Sequence, residues 1–287
     1  MHRLTEILLL ASLLLPGLAS AQLPPNPDFL DGASSHTYKW VDNITLRLHV
    51  FQPHVDASEP RAAIVFFFGG GWSSGSVRQF VPQAEYLANR GMVAVIADYR
   101  VFFRHGSSVS DAVADAKSAI RWVRSHAGEL GIDPDRIAAA GGSAGGHLAA
   151  ATAALADFES AGENLAVSSR PDALVLFNPA VDTARIGADR PLQFQGAGEA
   201  LSPYHQAGGG FVPTLIQHGQ DDATVPYSDV TAFCDKLTRL AGDCTLIGYA
   251  GAGHGFYNKG QASDRWYGPT VAEMDRFLTR LGYLPAP

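Results

Sequence analysis

Ser143 lies in Gly141-Gly142-Ser143-Ala144-Gly145-Gly146, a segment that contains G-x-S-x-G. A serine hydroxyl is a weak nucleophile until a neighbouring base takes its proton. A strand that turns sharply into a helix at such a serine holds it in a strained conformation with its hydroxyl exposed, and glycines two residues to either side remove the side chains that would clash. The base would be a histidine downstream. Of ten histidines, only His205, His218 and His254 lie far beyond Ser143. His254 is the last, in Gly251-Ala252-Gly253-His254-Gly255-Phe256. His218 comes before the candidate acids and reads as structural, as does His147 in the segment after the serine. The acid that orients the imidazole would be Asp221 or Asp222, within His218-Gly219-Gln220-Asp221-Asp222-Ala223-Thr224-Val225-Pro226, and spacing alone leaves both open. Phe68-Gly69-Gly70-Gly71-Trp72 supplies a fourth part, because consecutive glycines free backbone N–H groups to face a developing oxyanion. His105, in a loop after a strand end, is a candidate to line the site. Two other readings of the glycine-rich segments fail. No G-K-[ST] follows, as a phosphate-binding loop requires, and no G-x-G-x-x-G opens the first strand-to-helix turn.

These residues need a frame. Periodicity predicts strands over Thr37–Trp40, Ile44–Phe51, Ala62–Phe68, Met92–Ala97, Arg136–Ala140, Ala173–Phe177, Pro213–Gln217 and Cys244–Tyr249. Several are continuous apolar runs (AAIVFFF, MVAVIA, ALVLF), as strands buried on both faces should be. Helices are predicted over Ser76–Asn89, Ser110–Ala127 with Ser110 as cap, His147–Ala156, Ser228–Leu240 and Thr270–Leu281. Strands alternating with helices imply an α/β domain with a mostly parallel sheet of about eight strands. The stretch 180–210 breaks the rhythm with Gly, Pro and polar residues. It is predicted to form a small cap over the carboxyl ends of the strands, where open α/β sheets bind ligands.

Composition narrows the functions. The chain has 287 residues, 46% hydrophobic, with 21 Lys+Arg against 28 Asp+Glu. A formal net charge of −7 with no basic run argues against nucleic acid as a partner. Two cysteines are too few for a disulfide scaffold or a Cys-rich metal site. At the start, Arg3, the apolar run Ile7–Leu15, the Pro16-Gly17 break and Ala19-Ser20-Ala21 together read as a cleavable export signal over residues 1–21. The mature protein is then Gln22–Pro287, without a membrane span and in an exported, periplasmic or secreted location. Export makes a Cys234–Cys244 disulfide feasible, and two reduced thiols remain the alternative. Asn43-Ile44-Thr45 is a glycosylation sequon, but it reads far more readily as a turn before a strand.

Taken together, the motifs resemble those of secreted bacterial α/β-hydrolases of the acetyl esterase/lipase, hormone-sensitive-lipase-like group. The matching segments are Gly69–Trp72, Asp98-Tyr99-Arg100, Gly141–Gly146, His218–Pro226 and Gly251–Phe256, in the family's order and across nearly the whole mature chain. The resemblance implies an α/β-hydrolase fold and a serine carboxylesterase acting through an acyl-enzyme with a Ser143, Asp222, His254 triad. It places the acid at Asp222 and the oxyanion donors at the backbones of Gly70, Gly71 and Ala144. Trp72 and His105 are the candidate substrate contacts. Neither metal nor cofactor is implied. The expected substrate is a short acyl ester, acetyl or aromatic, on a small molecule or a carbohydrate. A prolyl-oligopeptidase-like peptidase shares the fold and triad, and a non-catalytic binding module would share the scaffold. The sequence departs from the family at Phe68, where a histidine is usual, and at Val101-Phe102-Phe103-Arg104, where L-A-P-E is common. With Phe68 in place, packing must hold the glycine loop, and Phe66, Phe67, Phe68 and Trp72 are expected to form one apolar wall beneath it.

Overall fold

A computed structural model describes residues 23–54 and 59–286. The export signal expected at 1–21 lies outside the described residues. Eight strands are present: β1 (Ser34–Val41), β2 (Ile44–Phe51), β3 (Arg61–Phe67), β4 (Val93–Ala97), β5 (Ile132–Gly142), β6 (Ala173–Phe177), β7 (Thr214–Gly219) and β8 (Cys244–Tyr249). They form one sheet in the order β1-β2-β4-β3-β5-β6-β7-β8. Only the pairs β1/β2 and β2/β4 are antiparallel. The two-residue turn joining β1 to β2 is Asp42-Asn43, both at positive φ (46° and 66°), a conformation Asp and Asn tolerate and tight hairpins need. The sequon asparagine is therefore a turn residue. Every residue of β4 and β6 is buried, so layers cover both faces of the central sheet.

The helices are α1 (Val81–Asn89), α2 (Phe102–His105), α3 (Val109–Ser125), α4 (Ala127–Leu130), α5 (Ala144–Ala154), α6 (Thr183–Asp189), α7 (Pro191–Phe194), α8 (Pro203–Gln206), α9 (Tyr227–Arg239) and α10 (Tyr267–Arg280). Some boundaries differ from expectation. The predicted helix over Ser76–Asn89 is a single 3-10 turn (Val77–Phe80) followed by α1. The cap of α3 is Ser108 rather than Ser110. The Ser108 hydroxyl accepts from Asp111 N–H (3.2 Å), and the Asp111 carboxylate accepts from Ser108 N–H (2.9 Å), a reciprocal box that fixes the start two residues earlier. Cys234 on α9 and Cys244 at the start of β8 form a disulfide, which resolves the alternative the sequence left open. Among the described residues no helix is long and apolar enough to cross a membrane.

Register brings the strand ends together. Phe67 pairs with Gly141, Gly142 with Phe177, Phe177 with Gln217, and Gly219 with Tyr249. The loops that follow β3, β5, β6, β7 and β8 therefore emerge along one edge of the parallel region, and they carry Gly69–Gly71, Ser143, Asn178, Asp222 and His254. The irregular 180–210 stretch contains the short helices α6, α7 and α8 and supplies residues to the cavity at that edge.

Candidate active site

Strand β5 turns into α5 at Ser143, whose φ of 54° and ψ of −119° are unusual for a residue with a side chain. The neighbours hold it there. Ser143 N–H donates to Phe177 O (2.9 Å), and Ser143 O accepts from His147 N–H (2.9 Å) at the first turn of α5. Two glycines permit the approach. A Cβ on Gly145 would sit 2.0 Å from Phe67 O, and one on Gly142 would sit 1.8 Å from the Tyr257 hydroxyl. The elbow is thus packed directly against β3 and the loop after His254.

His254 bridges the other two candidates. Its Nε2 is 2.9 Å from Ser143 Oγ, and its Nδ1 is 2.7 Å from Asp222 Oδ2. A carboxylate only accepts, so Nδ1 donates to Asp222 and Nε2 is left to accept the serine proton. The second Asp222 oxygen, Oδ1, accepts from Thr224 N–H (2.8 Å) and Val225 N–H (2.9 Å). Burial pushes the Asp222 carboxyl upward, but hydrogen bonds from His218, His254 and Val225 N–H outweigh it and hold the group well below the usual carboxylate range. His218 is buried. Its Nε2 donates to Val225 O (2.9 Å) and lies 3.3 Å from Asp222 Oδ2, so it supports the acid from behind. Asp221 is exposed, and its N–H donates to Ala252 O (3.0 Å). The two adjacent aspartates are therefore separated by geometry, and only Asp222 reaches His254.

The glycine loop follows β3, with Gly70, Gly71 and Trp72 at φ values of 134°, 61° and 57°. Gly70 O accepts from both Ser73 N–H and Ser74 N–H (3.1 Å each). Gly69 N–H donates to Gln79 Oε1 (2.6 Å). The Gly70 and Gly71 N–H groups have no hydrogen-bond partner among the described residues, and both glycines line the cavity beside Ser143. Ala144 opens α5, where the first backbone N–H groups have no partner within the helix.

Gln79 had no signature in the sequence. Its Nε2 donates to the Tyr257 hydroxyl and to Asn258 Oδ1 (3.0 Å each). One amide thus ties the glycine loop to the His254 loop. Asn178, just after β6, was likewise missed; its Oδ1 accepts from Gly255 N–H (3.1 Å), beside His254.

Phe68 is fully buried, stacked on Tyr99 at 4.1 Å, and Tyr99 donates its hydroxyl proton to Phe68 O (2.6 Å). The single aromatic wall expected under the loop is instead divided. Phe66 stacks on Phe80 (5.0 Å), while Trp72 meets His147 and Phe194 edge to face. His147 accepts from Trp72 Nε1–H at Nδ1 (3.1 Å) and donates from Nε2 to Leu201 O (2.8 Å). Burial drives its pKa down to about 4, against a small upward pull from the Leu201 carbonyl. It stays neutral and links the glycine loop, α5 and the 180–210 segment.

The cavity at this edge measures about 500 Å³. Trp72 lines it, and Ala180, Ile186 and Arg190 enter from the insertion. His105 does not. It lies in a separate hollow with Asp98 and Arg104, and its Nδ1 accepts from Val101 N–H (3.0 Å). After Val101 the chain winds into α2, and that turn folds the imidazole back on its own backbone. The expectation that His105 contacts substrate is corrected on that ground.

The BD-FAE family model matches residues 48–189. The probable carboxylic ester hydrolase LipM of Mycobacterium tuberculosis is 29% identical over 211 residues, covering 66% of this chain and 48% of LipM. This chain spans about half the length of the curated relatives it matches. Among solved structures, esterase 2 of Thermogutta terrifontis phosphoramylated by tabun is 46% identical with a TM-score of 0.86, covering 90% of this chain and 97% of that one. The butyrate-bound form of that esterase is 45% identical with a TM-score of 0.86 and the same coverage. A relative this similar over nearly its full length establishes kinship, and the chain belongs to the α/β-hydrolases of the acetyl esterase, hormone-sensitive-lipase-like type.

Proposed function

We propose that this chain is a serine carboxylesterase that hydrolyses short-chain acyl esters through an acyl-enzyme. One observation carries the reading: Asp222, His254 and Ser143 form a continuous hydrogen-bonded line that ends at the cavity. Ser143 Oγ attacks the ester carbonyl carbon while His254 Nε2 takes its proton. The tetrahedral oxyanion is held by the N–H groups of Gly70, Gly71 and Ala144. The C–O bond to the alcohol then breaks, and His254 returns the proton to the departing oxygen. Water, deprotonated by the same imidazole, attacks the acyl-enzyme and releases the carboxylic acid and free Ser143. Asp222 keeps His254 in the required tautomer and balances its transient charge.

The propionate- and butyrate-bound forms of the Thermogutta esterase support a short acyl chain, and the modest cavity is consistent with it. Export to an oxidising compartment is part of the same reading, supported by the Cys234–Cys244 disulfide and the apolar segment Ile7–Leu15. The test is a panel of para-nitrophenyl esters from acetyl to long acyl, with acetylated and feruloylated saccharides alongside. The expected result is highest kcat/KM at the short acyl end and near-complete loss of turnover in Ser143→Ala, which also fails to react with a serine-directed phosphonate. Retained turnover in that variant, or labelling of another serine in the wild type, would refute the assignment.

A further inference from the structure

The insertion brings one cation to the cavity. Arg190, between α6 and α7, lines it, whereas no Asp or Glu does so among the described residues. Two contacts hold the guanidinium at the rim, both on the glycine loop. Nη1 donates to Gly71 O (3.1 Å), and the guanidinium carbon lies 6.0 Å from the centre of the Trp72 ring. Its Nε and Nη2 have no hydrogen bond, and no ion pair engages Arg190, among the described residues. The adjacent Asp189 lines a neighbouring shelf and not the cavity, and Arg185 on α6 is already paired with Asp229. This uncompensated charge belongs to a protein whose net charge is −7, so it is not a sample of a generally basic surface. The shelf on the other side of Arg190 is mostly apolar, lined by Phe102, Phe103, Pro191 and Leu192 (Phe103 60% and Leu192 75% exposed) together with Ser73, Asp189 and Gln193.

A planar guanidinium with free N–H groups beside an acyl-transfer serine is suited to a carboxylate, which it binds through two parallel hydrogen bonds. We propose that Arg190 is a specificity-determining residue that selects esters carrying a second, ionised carboxylate, which it holds at the cavity rim. The mostly apolar shelf then receives the hydrocarbon part next to that carboxylate. The inference rests on the esterase reading and deepens it. The carboxylate belongs either to the acyl chain or to the alcohol, and matched substrates distinguish the two.

The experiment compares kcat/KM within two charged and neutral pairs. One pair is para-acetoxybenzoate and its methyl ester, with the charge on the leaving group. The other is para-nitrophenyl hemisuccinate and para-nitrophenyl butyrate, with the charge on the acyl chain. Each rate is normalised to uncatalysed hydrolysis and measured for wild type, Arg190→Gln and Arg190→Lys. Arg190 also touches Gly71 O, so loosening of that contact slows both members of a pair together; the ratio within a pair removes that common effect. In at least one pair, the charged-to-neutral ratio is expected to fall about threefold to tenfold in Arg190→Gln. Arg190→Lys should retain part of the ratio, and added salt should narrow the difference. A ratio unchanged in both pairs, with all esters slowed equally, would overturn the proposal and leave Arg190 as a support of the glycine loop. Failure of the wild type to turn over any of the four esters would instead sink the esterase reading, and this proposal with it.

Discussion

Asp221 and Asp222 are adjacent in sequence and opposite in surroundings. Both Asp222 oxygens are engaged inside the protein, whereas Asp221 is exposed. Asp222→Asn places an amide where a carboxylate must accept the Nδ1 proton, which favours the wrong imidazole tautomer. Its kcat on an acetyl ester is expected to fall by about 10³- to 10⁴-fold. Asp221→Asn should stay within about twofold, as surface changes usually do. The opposite order would place the acid one residue earlier. Gln79 poses a separate test. Gln79→Ala frees Gly69 N–H and severs the link to Tyr257 and Asn258. Misplaced oxyanion donors act chiefly on the transition state, so kcat should drop about tenfold to a hundredfold with little change in KM. A rise in KM alone would show that Gln79 shapes the cavity and does not position the loop. Phe68 contributes by packing, because its ring fills the space between Tyr99 and the loop at Gly75.

At the scale of elements, legibility followed how local the determining physics was. Strand β6 begins and ends where its apolar run begins and ends, since burial on a pleated sheet is written into consecutive residues. The elbow at Ser143 was readable for a similar reason, because only glycines fit so close to the crossing backbones. Boundaries set by competition were less readable. Ser108 and Ser110 are both plausible caps, and the pairing of Ser108 with Asp111 decides between them. Helix α10 begins at Tyr267, before the Gly268-Pro269 pair that looks like a break, because proline is tolerated in a first turn whose N–H groups lack partners. Gln79 could not be read at all, since its partners Tyr257 and Asn258 on the His254 loop lie 178 and 179 residues away. His105 misled for the converse reason. Its position after a strand end is typical of site residues, but a four-residue helix turns it aside.

For the whole molecule, buried histidines tie stability to pH. His49, His105 and His147 are each held at about 4, mainly by burial. A histidine whose folded pKa lies below its unfolded value binds more protons when unfolded, so stability falls as pH drops from about 6.5 toward 4. Asp98, raised to about 6 by burial, acts in the opposite sense over the overlapping range. The fully buried His147 alone accounts for about 3 kcal/mol between these limits. Denaturant titrations of wild type and His147→Gln should therefore show a stability gap that is widest near neutral pH and shrinks toward pH 4. A gap that stays constant with pH would mean that His147 takes up its proton as readily in the folded protein as in the unfolded chain.

Ser143 and His254 are 111 residues apart in the chain, and His254 follows β8, the last strand at one margin of the sheet. Chain entropy opposes such distant closures until the intervening strands have docked. No fragment ending before β8 contains His254, and no fragment starting within α5 contains Ser143. If Ser143 and His254 act as proposed, catalytic competence is a late event in the life of the polypeptide. On the proposed mechanism, an emerging or partly refolded chain can hold most of its secondary structure and remain inert, because hydrolysis waits until the final strand has taken its place.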